Sequence, residues 1–313
     1  MTLLISKFPR FRKFITRIKR WQLRHQYRHM AKISRHLKID SMDVQAVYWK
    51  KQHICSLIPF SQINNSLLGE TAFIVASGPS LKSIDIKPLT NKYTFGVNGS
   101  ILKFVDADIS PTFYVISDEE FIYNRPQLLR LILKNSESHC FFTPQAITAI
   151  CEIDVDLLKG HQKITLFNNH FKDYGKAALE FPDIVKMAHN DPEIITEDGK
   201  IGFSLNPEKG VFTAHTVPYF ALQIAYGLGF RTINIAGMDL GSPSGETRFY
   251  EQGSAAMPSH LDRDYLKSIL PSFEIVSQLC KNKTLQVFNL SPNSRLPDSV
   301  IPKKSFADAI RNH

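Results

Sequence analysis

An α/β fold carried by a mostly parallel sheet is the class this chain predicts, and three observations lead there. Beyond Glu70, strand-like and helix-like segments alternate, the pattern of helices layered on a parallel sheet. Apolar runs end abruptly in small or polar turn residues, as strands do where they deliver loops to a sheet edge. With 313 residues, 43% of them hydrophobic and 21% charged, the chain can bury one large core or two modest ones.

The first element is a basic arm over residues 1–50. Twelve of the 38 Lys and Arg lie within residues 1–38, which hold no Asp or Glu; the rest of the chain carries 26 basic against 29 acidic residues. Along Pro9 to Leu37 the residues Phe11, Phe14, Ile15, Ile18 and Trp21 recur at helical spacing, with Arg10, Arg12, Lys13, Arg17, Lys19, Arg20, Arg24 and Arg28 around them. Such a helix fits an anionic cytoplasmic leaflet, where each basic residue contributes on the order of 1 kcal/mol. It also fits packing on its own body with the Arg stems snorkelling. Nucleic acid is not expected as a partner, because the remaining chain is slightly acidic and offers no second basic groove.

Residues 51–313 form the predicted globular domain. Its first strand is Phe73-Ile74-Val75-Ala76, ending in Ser77-Gly78-Pro79-Ser80-Leu81. Gly78 permits close approach to the backbone, and Ser77 and Ser80 offer hydroxyls beside free N–H groups, which suits a phosphate or a ribose. An ordinary strand-to-helix turn has the same composition. Thr94 to Val97 is a second strand, ending in Asn98-Gly99, and Thr112 to Ile116 a third, ending in Ser117-Asp118. Cys140 to Thr143 and Ile164 to Phe167 are shorter ones. The region of about 151–210 is otherwise polar and irregular, with turn signals at Asp191-Pro192, Glu197-Asp198-Gly199 and Asn206-Pro207, and reads as an insertion or lid.

The clearest helix follows, from N-cap candidate Thr216 through Val217, Phe220, Ala221, Ile224, Ala225 and Leu228 to Gly227 and Gly229. It hands over to the strand Thr232 to Ala236, which runs into Gly237-Met238-Asp239. A last strand, Thr284 to Leu290, runs into Ser291-Pro292-Asn293-Ser294. Ligands of open parallel sheets bind outside the carboxyl ends of the strands. Here those ends carry Ser77, Asn98, Ser117 with Asp118, Asp239 and Asn293, which points to a nucleotide-type site. The helix N-terminus at Thr216 adds donors and a positive dipole end for an anionic group.

Taken in order, Ser77-Gly78-Pro79-Ser80-Leu81, Phe95-Gly96-Val97-Asn98, Gly227-Leu228-Gly229-Phe230, Ala236-Gly237-Met238-Asp239 and Ser291-Pro292-Asn293-Ser294 resemble the bacterial lipooligosaccharide sialyltransferases of glycosyltransferase family 42. The resemblance covers roughly residues 70–300. Related loops occur in motility accessory factors of flagellin glycosylation, in pterin pyrophosphokinases and in lipopolysaccharide-core transferases of 3-deoxy-manno-octulosonic acid (Kdo). It implies a Rossmann-like, doubly wound fold with helices on both faces, binding a CMP-activated acidic sugar and transferring it with inversion, without an obligatory metal or other cofactor. By the resemblance, Ser77, Gly78, Pro79, Ser80, Asn98, Ser117 or Asp118, Asp239, Asn293 and Ser294 contact the nucleotide. Ser77 stands where the family usually has Asn, and Gly241 stands where it has the first of two phosphate-binding tyrosines. Tyr250 takes the place of the second, with Arg248 supplying charge nearby, and His260 takes that of the general base.

Glycosyl transfer needs a base for the acceptor hydroxyl and stabilisation of the departing phosphate. The expected activity is transfer of a CMP-linked keto-acid sugar, Kdo in preference to sialic acid, to a lipopolysaccharide or lipooligosaccharide core glycan. The alternatives are a pterin-type pyrophosphokinase and a non-catalytic nucleotide-sugar-binding module. Asp106-Ala107-Asp108 has D-x-D spacing but precedes a strand and reads as a turn. Four scattered cysteines without a C-x-x-C pair, and no apolar run approaching the roughly 20 residues of a membrane span, predict a cytoplasmic protein peripheral on the inner membrane.

Overall fold

The computed structural model describes residues 9–40, 45–134, 137–169, 171–241, 248–251 and 261–311. It opens with helix α1 (Pro9–Gln22), a 3₁₀ segment (His25–Lys32) and an antiparallel sheet of β1 (Leu37–Asp40), β2 (Ala46–Trp49) and β3 (Gln52–Ser56). Helical periodicity along Pro9 to Leu37 predicts a longer helix than the one that forms. Beyond it, the Ala178 N–H donates to Gln26 O at 2.8 Å and His29 Nε2 lies 3.0 Å from Asp173 O, so contacts to a distant loop replace regular helix. The small sheet has no counterpart in the sequence reading. Its β2–β3 turn puts Lys50 and Lys51 at φ of 50° and 70°, a conformation usually flagged by Asn or Gly.

The main sheet has seven strands, all parallel: β4 (Thr71–Val75), β5 (Tyr93–Val97), β6 (Phe113–Ile116), β7 (His139–Phe142), β8 (Ile164–Leu166), β11 (Thr232–Ala236) and β12 (Gln286–Asn289). Both faces are buried, which is why these strands read as continuous apolar runs. Phe73, Val75, Tyr114, Ile116, Cys140 and Phe142 face α2 (Ile101–Asp106), α3 (Glu119–Asn124), α4 (Pro126–Lys134) and α5 (Pro144–Asp154). Ala72, Ile74, Phe95, Val115 and Phe141 face the other way.

The layer on that second face begins with α6 (Phe181–Asn190) and the hairpin of β9 (Ile194–Thr196) and β10 (Gly202–Ser204). The stretch 151–210 thus holds the end of α5 and the edge strand β8 as well as these pieces. Next comes α7 (Val217–Leu228), buried almost throughout and closed by Gly229 at φ 108°. α8 spans 261–281 and widens into a π-turn at Tyr265–Ile269. Pro271, just after that turn, cannot donate the next helical hydrogen bond, and the wider turn absorbs the loss. The short α9 (Phe306–Arg311) closes the chain.

The sheet order is β12-β11-β4-β5-β6-β7-β8. Successive strands run outward from β4 on one side, and the chain returns to add β11 and β12 on the other. The direction of winding therefore changes between β4 and β11, and the crevice beyond their carboxyl ends is where such folds bind ligands. This is the doubly wound α/β arrangement expected from the sequence.

Candidate functional site

The β4 and β11 loops run side by side past the strand ends. Ala76 N–H donates to Ala236 O and Gly78 N–H to Gly237 O, both at 2.8 Å. A Cβ on Gly78 would lie 2.0 Å from Asp239 Oδ2 and 2.5 Å from Gly237 O, so only glycine lets the Asp239 carboxylate close onto the loop. That carboxylate accepts from Ser80 N–H (3.2 Å) and Ser80 Oγ (2.9 Å), and Ser80 Oγ shares a 3.0 Å hydrogen bond with Ser291 Oγ. Burial pushes the Asp239 carboxyl above its ordinary value, and the two bonds from Ser80 pull part of the way back. Pro79 opens the short 3₁₀ turn that carries Ser80.

The last loop braces the same point. Ser294 Oγ donates to Met238 O at 2.7 Å, and Arg295 N–H to Asp239 O at 2.9 Å. Ser294 is buried and serves the loop itself, whereas Asn293 is exposed at its tip.

Beyond β5, Asn98 adopts φ 47°. The buried Tyr114 hydroxyl donates to Asn98 O at 2.6 Å and accepts from Ile101 N–H at 3.0 Å, fixing the turn. Asn98 Oδ1 is buried with no hydrogen-bond partner among the described residues, a cost that a bound donor would remove. The segment 248–251 closes over this turn. Phe249 N–H donates to Ser77 O at 3.0 Å, and the Tyr250 ring lies where a Cβ on Gly99 would meet it at 2.1 Å.

Around Tyr250 the charges are paired. Glu251, with 1% of its side chain exposed, accepts from Arg248 at 2.8 Å and from Arg125 at 3.4 Å. Burial pushes the Tyr250 hydroxyl up to about 12 against the pull of Arg248, so at neutral pH it is a donor. Asp118 caps α3 by accepting from Glu120 N–H at 2.9 Å; burial and neighbouring Glu119 raise its carboxyl. Ser117 O accepts from Thr143 Oγ1 at 3.2 Å.

The profile of the family described as "3-deoxy-D-manno-octulosonic acid transferase WaaZ" matches residues 56–306, from β3 into α9. The chain belongs to this family. Two curated relatives are each a "Probable 3-deoxy-manno-octulosonic acid transferase". The Salmonella typhimurium protein is 28% identical over 241 residues, covering 74% of this chain and 86% of the relative. The Escherichia coli protein is 28% identical over 240 residues, covering 75% and 82%. Among solved structures, the chain is similar to the MAf glycosyltransferase from Magnetospirillum magneticum AMB-1 (TM-score 0.41, 15% identity, 78% of this chain and 36% of that one). It is also similar to the sialyltransferase CST-II with trisaccharide acceptor and CMP (TM-score 0.37, 16% identity, 75% and 86%).

In this WaaZ-family glycosyltransferase, Ser77, Gly78, Pro79, Ser80 and Asp239 meet at the β4–β11 crevice, and Asn98, Asp118, Arg248 and Tyr250 gather beside it. Thr216 opens α7 with extended backbone and no side-chain cap bond. His260 lies outside the described residues. Tyr114, Arg125 and Glu251 are not singled out by the sequence, whereas the Ser291 hydroxyl belongs to the Ser291-Pro292-Asn293-Ser294 loop that the strand ending flags. His215, an exposed imidazole at φ 55° whose Nδ1 lies 3.8 Å from Asp264 Oδ2, precedes Thr216 at the opening of α7. Arg125 and Glu251 pair across 126 positions and Tyr114 reaches back 16 positions to Asn98, so no short window of sequence shows these contacts.

Proposed function

We propose that this protein is an inverting transferase that moves Kdo from CMP-Kdo to the core glycan of a lipopolysaccharide. The observation that carries the reading is the convergence of Ser80, Asp239 and the unsatisfied Asn98 at the winding switch of the sheet, with Tyr250 and Arg248 over it. Membership of the WaaZ family supports Kdo over sialic acid. In the reaction the bond from the anomeric carbon to the phosphate oxygen breaks, and CMP leaves with the electron pair. The acceptor oxygen forms the new bond on the opposite face of that carbon, and its proton goes to a base.

Asp239 and Asn98 are suited to the cytidine ribose and base edges, which offer hydroxyl and amino donors. The Tyr250 hydroxyl and the Arg248 guanidinium are suited to the negative charge growing on the phosphate. His260 is assigned as the base, because a neutral imidazole can take the proton of the acceptor hydroxyl.

The test is release of CMP from CMP-Kdo with and without the core glycolipid, with the anomeric configuration of product read by NMR. Release that needs acceptor, with inverted configuration, is the expected result; turnover of ATP with a pterin in its place would overturn it. His260→Ala is expected to lower kcat by at least a hundredfold at nearly unchanged donor affinity. Wild-type turnover in that variant would remove the base assignment.

The α1 helix supports peripheral attachment to an anionic membrane. Phe11, Phe14, Ile18 and Trp21 form an exposed apolar stripe, and Arg10, Lys13, Arg17 and Arg20 flank it.

A further inference from the structure

Between α1, the 3₁₀ segment and α3 lies a cavity of about 450 Å³, within the range of sites for small ligands. Six cations line it: Arg12, Lys13, Arg17, Lys19, Arg20 and Lys32. Its three carboxylates are already engaged. Glu120 pairs with Arg12, Glu119 pairs with Lys32, and Glu152 accepts from the Tyr123 hydroxyl at 2.6 Å. Lys13, Arg17, Lys19 and Arg20 make no ion pair among the described residues. Burial pulls the Lys172 ammonium below its ordinary value, and the charges of Arg20 and Lys32 act in the same direction.

Arg12 is the second, independent observation. It is 8% exposed, stacks at 3.8 Å over the Tyr123 ring and gives Nη2 to Glu120. Its Nη1 is buried with no hydrogen-bond partner among the described residues. A buried guanidinium nitrogen left unsatisfied costs free energy unless a ligand accepts from it. Six cations against three carboxylates leave an excess that suits a phosphate dianion better than a single carboxylate, and guanidinium is the group that binds phosphate in bidentate fashion.

We infer that this cavity is a subsite for a phosphorylated sugar of the acceptor glycan. The inference rests on the transferase reading above and assigns the part of the acceptor that the arm holds. Its wall α3 starts at Asp118, at the carboxyl end of β6, so one short helix separates the anchored phosphate from the donor crevice. A glycan held there presents a neighbouring sugar to the donor. The arm is then part of the active site as well as a surface for lipid.

The test is isothermal titration of the full chain and of a Lys13→Gln/Arg17→Gln/Arg20→Gln variant, whose altered side chains are exposed and outside the core. The probes are a deacylated phosphorylated core oligosaccharide, the same oligosaccharide after phosphatase treatment, and phosphatidylglycerol vesicles without glycolipid. We expect the variant to bind the phosphorylated oligosaccharide at least tenfold more weakly and the phosphatase-treated one as wild type does, with the thermal shift given by CMP unchanged. Equal affinity of wild type and variant for the phosphorylated oligosaccharide would overturn the subsite, as would a loss confined to the vesicles, which would reassign the cations to lipid headgroups. Binding needs no turnover, so the two readings fail separately. If CMP-Kdo is not a substrate but the tenfold loss is seen, the subsite stands and the donor assignment falls.

Discussion

Asp239 puts a carboxylate 5% exposed to water against the two donors of Ser80. Its carboxyl is raised above the ordinary 3.8 because burial outweighs those bonds. The folded protein therefore keeps this proton to higher pH than the unfolded chain does. The stability it contributes is full below 3.8 and is lost as pH climbs through the raised folded value. Asp239→Asn retains an acceptor for Ser80 and removes the charge. The variant is expected to unfold in urea at neutral pH no earlier than wild type. CMP affinity should fall about ten- to a hundredfold, the worth of a hydrogen bond of roughly 1.5–3 kcal/mol to a charged group. Titration calorimetry checks it, and unchanged CMP affinity would take Asp239 out of the nucleotide site.

The segment 248–251 shows what one short stretch of chain contributes. Phe249 ties it to the Ser77 carbonyl, Arg248 and Arg125 hold Glu251, and the Tyr250 ring fills the space left by Gly99. With the Tyr250 hydroxyl pushed up to about 12, it stays protonated across the neutral range and cannot set a limb of a neutral pH–rate profile. Tyr250→Phe should lower kcat about a hundredfold, the cost of one donor to developing charge, with both limbs unmoved. A displaced limb would mean that Tyr250 itself exchanges the proton. The strand ends at Ser77, Asn98, Asp118 and Asp239 were legible because each breaks an apolar run with a polar residue, a signal a few residues wide. The Arg125–Glu251 pair spans 126 positions, and no local window contains it. The β1–β3 sheet was illegible for another reason. Its Lys50-Lys51 turn uses residues that rarely take positive φ, so the sequence carried arm chemistry where the fold makes a hairpin.

At the scale of the whole molecule, the basic charge and the site are mechanically joined through α1. The inward side of this helix is pinned to α3 by Arg12, and its outward side exposes Phe11, Phe14, Ile18 and Trp21, the last at 85%. Both readings of the arm, packing on the body and meeting a membrane, can therefore hold at once, because Arg12 and the apolar stripe lie on different sides. Lys13, Arg17 and Arg20 lie between them, shared by the cavity and the flanks of the stripe. The chain has two tryptophans, and Trp49 is 5% exposed, so a change in emission on adding lipid reports Trp21. Anionic vesicles are expected to shift the emission to the blue and zwitterionic vesicles to leave it unchanged. Each flanking cation contributes on the order of 1 kcal/mol, and that part falls as salt shortens the Debye length. Trp21→Ala together with Phe14→Ala should weaken vesicle binding while leaving the binding of soluble core oligosaccharide untouched, since neither side chain lines the cavity. Loss of both together would mean that the helix acts as one undivided surface. Retention of full vesicle binding would mean that attachment lies elsewhere on the molecule.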